Sequence, residues 1–234
     1  MAGESSKEES EGVESEEETG AGCESRGGSP SPRIREGAVS TALPAAAADP
    51  RRRGNALTVA LSRSLLRAAG WTIEGQVPSE LRVVAIVAPH TSNWDFLIGF
   101  VAMASLRFGF NALAKDSLFW PPLGWLMRWV GCVPVNRRAP GGVVEGAVRA
   151  FGRSPGLILA VTPEGTRRKA SGWKTGFYRI ARGAGVPIWP TAIDYRQKIV
   201  RLLPVFHPTD EMEADLRTLQ ELYSGDMALH PEDY

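Results

Sequence analysis

The chain has 234 residues, 43% of them hydrophobic and 23% charged, which fits an ordinary globular protein of one domain with a tail. Its net charge of +1 hides an asymmetry: residues 1–50 hold 11 acidic and 4 basic side chains, whereas residues 51–234 hold 15 and 23. The second part is therefore basic and suits an anionic partner, and two cysteines, Cys23 and Cys132, exclude a disulfide framework and a four-thiolate zinc site.

Residues 1–54 are of low complexity. Ser5 to Glu18 is mostly serine and glutamate, and Ala45 to Ala48 is all alanine. Such a segment buries too little surface to offset its conformational entropy, so a disordered acidic, alanine- and proline-containing tail is expected. Its opening glutamates do not match the basic start and apolar run of a secretory signal. Residues 55–80 read as an amphipathic helix and a linker. Leu57, Leu61 and Leu65 recur every four residues, with Leu66 beside them and Arg63 and Arg67 off the stripe. The stripe suits packing on a core and lying on a membrane surface equally well. The nearest approach to a membrane span, Phe96 to Ala114, carries Arg107 and reads as a buried helix followed by a strand.

Residues 81–234 alternate between strand and helix patterns. Arg82 to Ala88 reads as a buried strand and Ser92 to Phe108 as a helix. Ser117 to Val130 reads as a second helix, bearing Trp120, Trp125 and Trp129. These rings suit a headgroup interface or a core of large residues. Cys132 to Asn136 is a short strand, and Val143, Val144, Ala147, Val148 and Phe151 stripe a helix. Leu157 to Val161, Ile188 to Asp194 and Ile199 to Phe206 are strands, and Lys174 to Gly183 is a helix. Met212, Leu216, Leu219 and Tyr223 stripe the last helix, with Thr209 as its expected cap. The alternation predicts a single α/β domain whose mostly parallel central sheet is flanked by helices.

Two segments carry chemistry. Ala88-Pro89-His90-Thr91-Ser92-Asn93-Trp94-Asp95 spans a strand end and a helix start, where open α/β sheets place ligands. With His90 in the loop and Asp95 in the first turns, the carboxylate can reach back to the imidazole and make it a general base. The same spacing also suits a structural histidine. Thr162-Pro163-Glu164-Gly165-Thr166-Arg167-Arg168-Lys169 follows another apolar strand. It offers a turn glycine, a hydroxyl and forked cations, which suit a phosphate or, equally, a solvated basic loop.

Taken together, His90-x4-Asp95 and Pro163-Glu164-Gly165-Thr166-Arg167 resemble the glycerolipid acyltransferases of the lysophosphatidic acid acyltransferase group. Two further blocks fit in order. Lys115-x2-Leu118 with Pro121, Gly124, Gly131, Val133, Val135, Asn136 and Arg137 resembles the second, and Val186-Pro187-Ile188-Trp189-Pro190 the fourth. The resemblance covers about residues 82 to 206 and implies a glycerol-phosphate acyltransferase-like fold.

The resemblance implies that His90 takes the proton of an acceptor hydroxyl, which attacks the thioester of acyl-CoA or acyl carrier protein, and that Asp95 orients His90. It implies that Arg137, Glu164, Gly165, Thr166 and Arg167 bind the phosphorylated lysolipid, with Glu164 positioning Arg167 or an acceptor hydroxyl. Lys115, Asn136 and Lys174 are further candidates. The implied activity is O-acyl transfer to a lysophospholipid such as 1-acylglycerol-3-phosphate, in phospholipid synthesis. No cofactor, metal or nucleic acid enters it, and the expected place is peripheral, on the cytoplasmic face of a membrane. The competing readings are a non-phosphate or amine-lipid acceptor and a non-catalytic lipid-surface binding protein. A hydrolase of the Gly-x-Ser-x-Gly type is disfavoured because that motif does not occur.

Overall fold

The computed structural model describes residues 50–135, 142–167 and 172–234. Strands β1 (Thr72–Gly75), β2 (Arg82–Ala88), β3 (Asn111–Lys115), β4 (Cys132–Val135), β5 (Leu157–Val161), β6 (Ile188–Asp194) and β7 (Ile199–Leu202) form one sheet in the order β1-β7-β6-β2-β5-β3-β4. The β6–β7 pair is antiparallel and the others are parallel. The helices are α1 (Ala56–Ala68), α2 (Trp94–Ser105), α3 (Leu123–Val130), α4 (Gly142–Arg153), α5 (Gly176–Ala184) and α6 (Met212–Gln220).

The two faces of the sheet follow from the period of β2. Val84, Ile86 and Ala88 enter one core with Phe151 of α4, Phe177 and Ile180 of α5 and Leu219 of α6. Val83 and Ala85 enter the other, with Leu66 of α1 and Ala102 and Met103 of α2. A strand covered on both sides needs a largely apolar sequence: β2 after Arg82 and β5 are unbroken apolar runs, and β6 is fully buried with Thr191 and Asp194 as its polar members.

Residues 55–80 supply α1 and the edge strand β1, which pairs with β7. Asn55 caps α1, its side chain accepting from Thr58 N–H at 2.9 Å. The leucine stripe is not the face that packs. Leu57, Leu61 and Leu65 are 76%, 68% and 54% exposed, while Ser62 and Leu66 are buried and α1 lies against α2. Just before the helix, Arg51 is buried, its guanidinium donating to Pro78 O and Glu80 O at 2.8 and 2.7 Å and stacking over Phe108. Gly75 ends β1 at φ +87°, where a Cβ would fall 1.9 Å from Leu202 O.

Several boundaries differ from the sequence expectation. The helix expected over 117–130 is a short turn, Asp116–Leu118, and then α3, because Pro121 and Pro122 lack the N–H groups a continuous helix needs. The strand expected to run to Phe206 ends at Leu202. Pro204 follows, and Phe206 pairs with Ile188 as an isolated bridge. Helix α2 is shorter at both ends than 92–108. Glu211, not Thr209, is the cap position of α6. Thr209 bonds Asp215, through its N–H at 2.6 Å and its hydroxyl at 3.0 Å. Among the described residues no helix is long and apolar enough to cross a membrane.

Candidate active site

Parallel neighbours β2 and β5, with Ile86 opposite Val161, release their following loops at the same end of the sheet. The first loop carries His90 and leads into α2. Asp95 lies in the first turn of α2, and its Oδ2 sits 3.0 Å from His90 Nδ1. The ring N–H points off the line to that oxygen, so the contact is close but not an aligned hydrogen bond. Such pairs commonly tighten when substrate binds.

Asp95 is 2% exposed, and a bare carboxylate so buried would be costly. Two donors satisfy it beside the histidine: Ser92 N–H reaches Oδ2 at 2.9 Å, and the Tyr195 hydroxyl reaches Oδ1 at 2.6 Å. Burial opposes ionisation here, but the contacts from His90, Tyr195 and Ser92 outweigh it and hold the carboxyl below its ordinary range. The anion faces Nδ1, which leaves Nε2 as the ring nitrogen on the cavity side, the arrangement a general base requires.

The second loop brings Glu164 under the first. Its buried carboxylate accepts His90 N–H, so it holds the histidine's own peptide, while Asn93 is the side chain that meets Arg167. Desolvation pushes the Glu164 carboxyl up to about 7, against the bond from His90 N–H and the nearby imidazole, with Asp95 adding to the rise. Gly165 adopts φ +66°, and the stem of Lys174 lies over its Cα where a side chain would collide. The loop is thus closed over by Lys174, whose N–H also donates to Pro163 O at 2.8 Å.

Two spaces adjoin at Asn93. A cavity of about 660 Å³ has His90, Asn93 and Asp95 in its wall and continues among apolar side chains that include Phe96, Met103 and Phe110. Beside it, a recess of about 460 Å³ is lined by Thr91, Ser92, Asn93, Thr166 and Arg167. Among the described residues no group of three or more histidine, cysteine or acidic side chains could hold a metal ion.

The structure therefore brings together His90, Asp95, Glu164, Gly165, Thr166, Arg167 and Lys174. Lys115 ends β3, the neighbour of β5, and its side chain lies outside the described residues, as do Asn136 and Arg137 altogether. Sequence reasoning missed Tyr195, which stands 100 residues from Asp95. It also missed the part of Asn93, which lay within the first motif. The signal for Tyr195 was its place just after a buried strand of the parallel sheet, at the end where the motif loops emerge.

The family model described as Acyltransferase matches residues 71–194, a span that includes both loops. A chloroplastic 1-acyl-sn-glycerol-3-phosphate acyltransferase of Brassica napus is 29% identical over 116 residues, covering 47% of this chain and 34% of that protein. The 1-acyl-sn-glycerol-3-phosphate acyltransferase of Salmonella typhimurium is 28% identical over 122 residues, covering 50% of this chain and 49% of that protein. The crystal structure of the 1-acyl-sn-glycerophosphate acyltransferase of Thermotoga maritima aligns with a TM-score of 0.47 at 19% identity, over 72% of this chain and 80% of that one. The chain thus spans a third to a half of the length of these curated relatives. Since the matched span takes in more than half of its residues, the chain belongs to the acyltransferase family.

Proposed function

We propose that the chain transfers a fatty acyl group from acyl-CoA or acyl carrier protein to a hydroxyl of a lysophospholipid such as 1-acylglycerol-3-phosphate, in glycerolipid synthesis. The observation that carries this reading is the His90–Asp95 pair in the wall of a largely apolar cavity, beside a polar recess that shares Asn93 with it. The cavity suits a fatty chain. The recess offers the Arg167 guanidinium and the Thr166 hydroxyl, groups that suit a phosphate. The names of the Brassica and Salmonella relatives support this acceptor.

In this mechanism His90 Nε2 takes the proton of the acceptor hydroxyl as its oxygen attacks the thioester carbonyl. The tetrahedral intermediate collapses, the carbon–sulfur bond breaks, and His90 returns the proton to the leaving sulfur. Asp95 holds the ring and stabilises the imidazolium formed between the two transfers. The exposed Leu57, Leu61 and Leu65 of α1, with the exposed Trp94, Leu97 and Phe100 of the adjoining α2, support contact with a membrane surface, where both substrates can be met.

The test is acyl transfer to a panel of phosphorylated and unphosphorylated acceptors, read by mass spectrometry, for the wild type and His90→Ala. Transfer to phosphorylated lysolipids is expected, with a loss of ~10²–10⁴-fold in the variant. Equal use of unphosphorylated acceptors would overturn the phosphate assignment, and a variant with wild-type turnover would overturn the mechanism.

A further inference from the structure

We infer that Tyr195 is a positioning residue for the His90–Asp95 pair, its hydroxyl fixing the carboxylate oxygen that does not face the imidazole. The inference rests on the reading of His90 as the general base.

Asp95 has two oxygens with different tasks. Oδ2 faces His90 Nδ1 and accepts Ser92 N–H from the same loop, and Oδ1 points away and meets the Tyr195 hydroxyl at 2.6 Å. A carboxylate tied at one oxygen can still swing about its Cβ–Cγ bond, whereas one tied at both has a single orientation. Tyr195 is well placed for this task because its own position is fixed twice. Its N–H donates to Met227 O at 2.8 Å, and its ring meets Trp71 edge to face at a centroid distance of 5.2 Å. The residue lies in the β6–β7 turn, one position beyond the span matched by the family model.

The hydroxyl also acts on charge. Donation to Oδ1 stabilises the carboxylate and contributes to holding Asp95 ionised in a buried place. The titratable groups that face Asp95 are His90 and Tyr195, with Glu164 acting at longer range. Removing the hydroxyl alone leaves the ring and its Trp71 contact and withdraws one donor from a buried anion.

The experiment compares the wild type, Tyr195→Phe, Asp95→Asn and the Tyr195→Phe/Asp95→Asn double variant in the full chain. Tyr195→Phe is expected to lower kcat roughly tenfold, with both KM values nearly unchanged, the size of a lost hydrogen bond to a charged group. In the Asp95→Asn background it is expected to add nothing, since it acts through that carboxylate. A second readout needs no activity: carbon-13 NMR of the Asp95 carboxyl is expected to show its titration midpoint rising in Tyr195→Phe. A wild-type midpoint and kcat in Tyr195→Phe would overturn the inference. So would an equal loss in the Asp95→Asn background. A wild type without transfer to any acceptor would sink the acyltransferase reading, and the NMR titration would still decide whether Tyr195 holds Asp95.

Discussion

Glu164, on the loop after β5, accepts the backbone N–H of His90, on the loop after β2, with its two oxygens at 3.0 and 3.3 Å. Segments 74 residues apart in sequence are thereby joined at the peptide of the histidine itself. The loops after β2 and β5 cannot shift independently while this bond holds.

The bond has a pH signature. Glu164 is raised by burial from an ordinary 4.5 to about 7, so the folded chain keeps a proton there that the unfolded chain has released. The stability from this group is full below about pH 4.5 and declines as pH rises to about 7. Asp95, held low, adds a slope only below about pH 4 and leaves this interval clear. Glu164→Gln retains an acceptor for His90 N–H but has no proton to lose. Its melting temperature is expected to gain on the wild type between about pH 5 and pH 8, by the equivalent of about 1–3 kcal/mol. Melts of both proteins at both pH values check this, and parallel curves would mean that Glu164 is no more protonated folded than unfolded.

Arg167→Lys replaces a planar fork with a point charge and removes the partner that Asn93 meets. Acceptor KM is expected to rise about 10–100-fold, the size of one charge-assisted hydrogen bond, while donor KM barely moves. Steady-state kinetics with each substrate varied in turn separate the two. A rise in donor KM instead would place Arg167 on the thioester side.

Gly99 lies in α2 and lines the cavity, and a Cβ built there meets no heavy atom within 4 Å. The first atom of a side chain at this position therefore displaces no neighbour, and Gly99→Phe also removes a helix-weakening glycine. Long acyl donors are expected to lose kcat/KM by about tenfold or more relative to short ones. A ladder of donors of increasing chain length measures it, and an unchanged preference would show that the chain lies elsewhere.

Changing Leu57, Leu61 and Leu65 together to serine removes apolar surface that the fold leaves outside its cores. The melting temperature is expected to stay within a few degrees, whereas flotation with anionic vesicles is expected to weaken by about tenfold or more. Vesicle binding equal to wild type would free α1 from any part in membrane contact.

The elements most legible in the sequence were those with the simplest surroundings. Strands β2, β5 and β6 have the bounds expected of them because burial on both faces demands a largely apolar sequence. Strand β1 was not legible. It is four residues long, carries Glu74 and Gly75, and exists because β7 offers it an edge. The period of α1 revealed a stripe but could not say which way it faced, since Ser62 and Leu66 suffice to seat the helix. At the site, the spacing of His90 and Asp95 was readable because both belong to one loop and one turn. Tyr195 and the clamp by Glu164 arise from tertiary approach, one through a hydroxyl and the other through a backbone N–H, which every non-proline residue has.

Among the described residues, β1 and β4 are the two borders of the sheet, each four residues long. Strand β4 carries an exposed Pro134, which has no N–H to offer a newcomer, and β1 presents only a short row of free groups. Both borders are poor templates for adding a strand from another molecule. Among the described residues, much of the exposed apolar surface sits instead on helices α1 and α2, with Trp125 on α3, whose main-chain groups are already bonded internally. It can meet an oily phase without inviting the edge-to-edge stacking that leads to fibres.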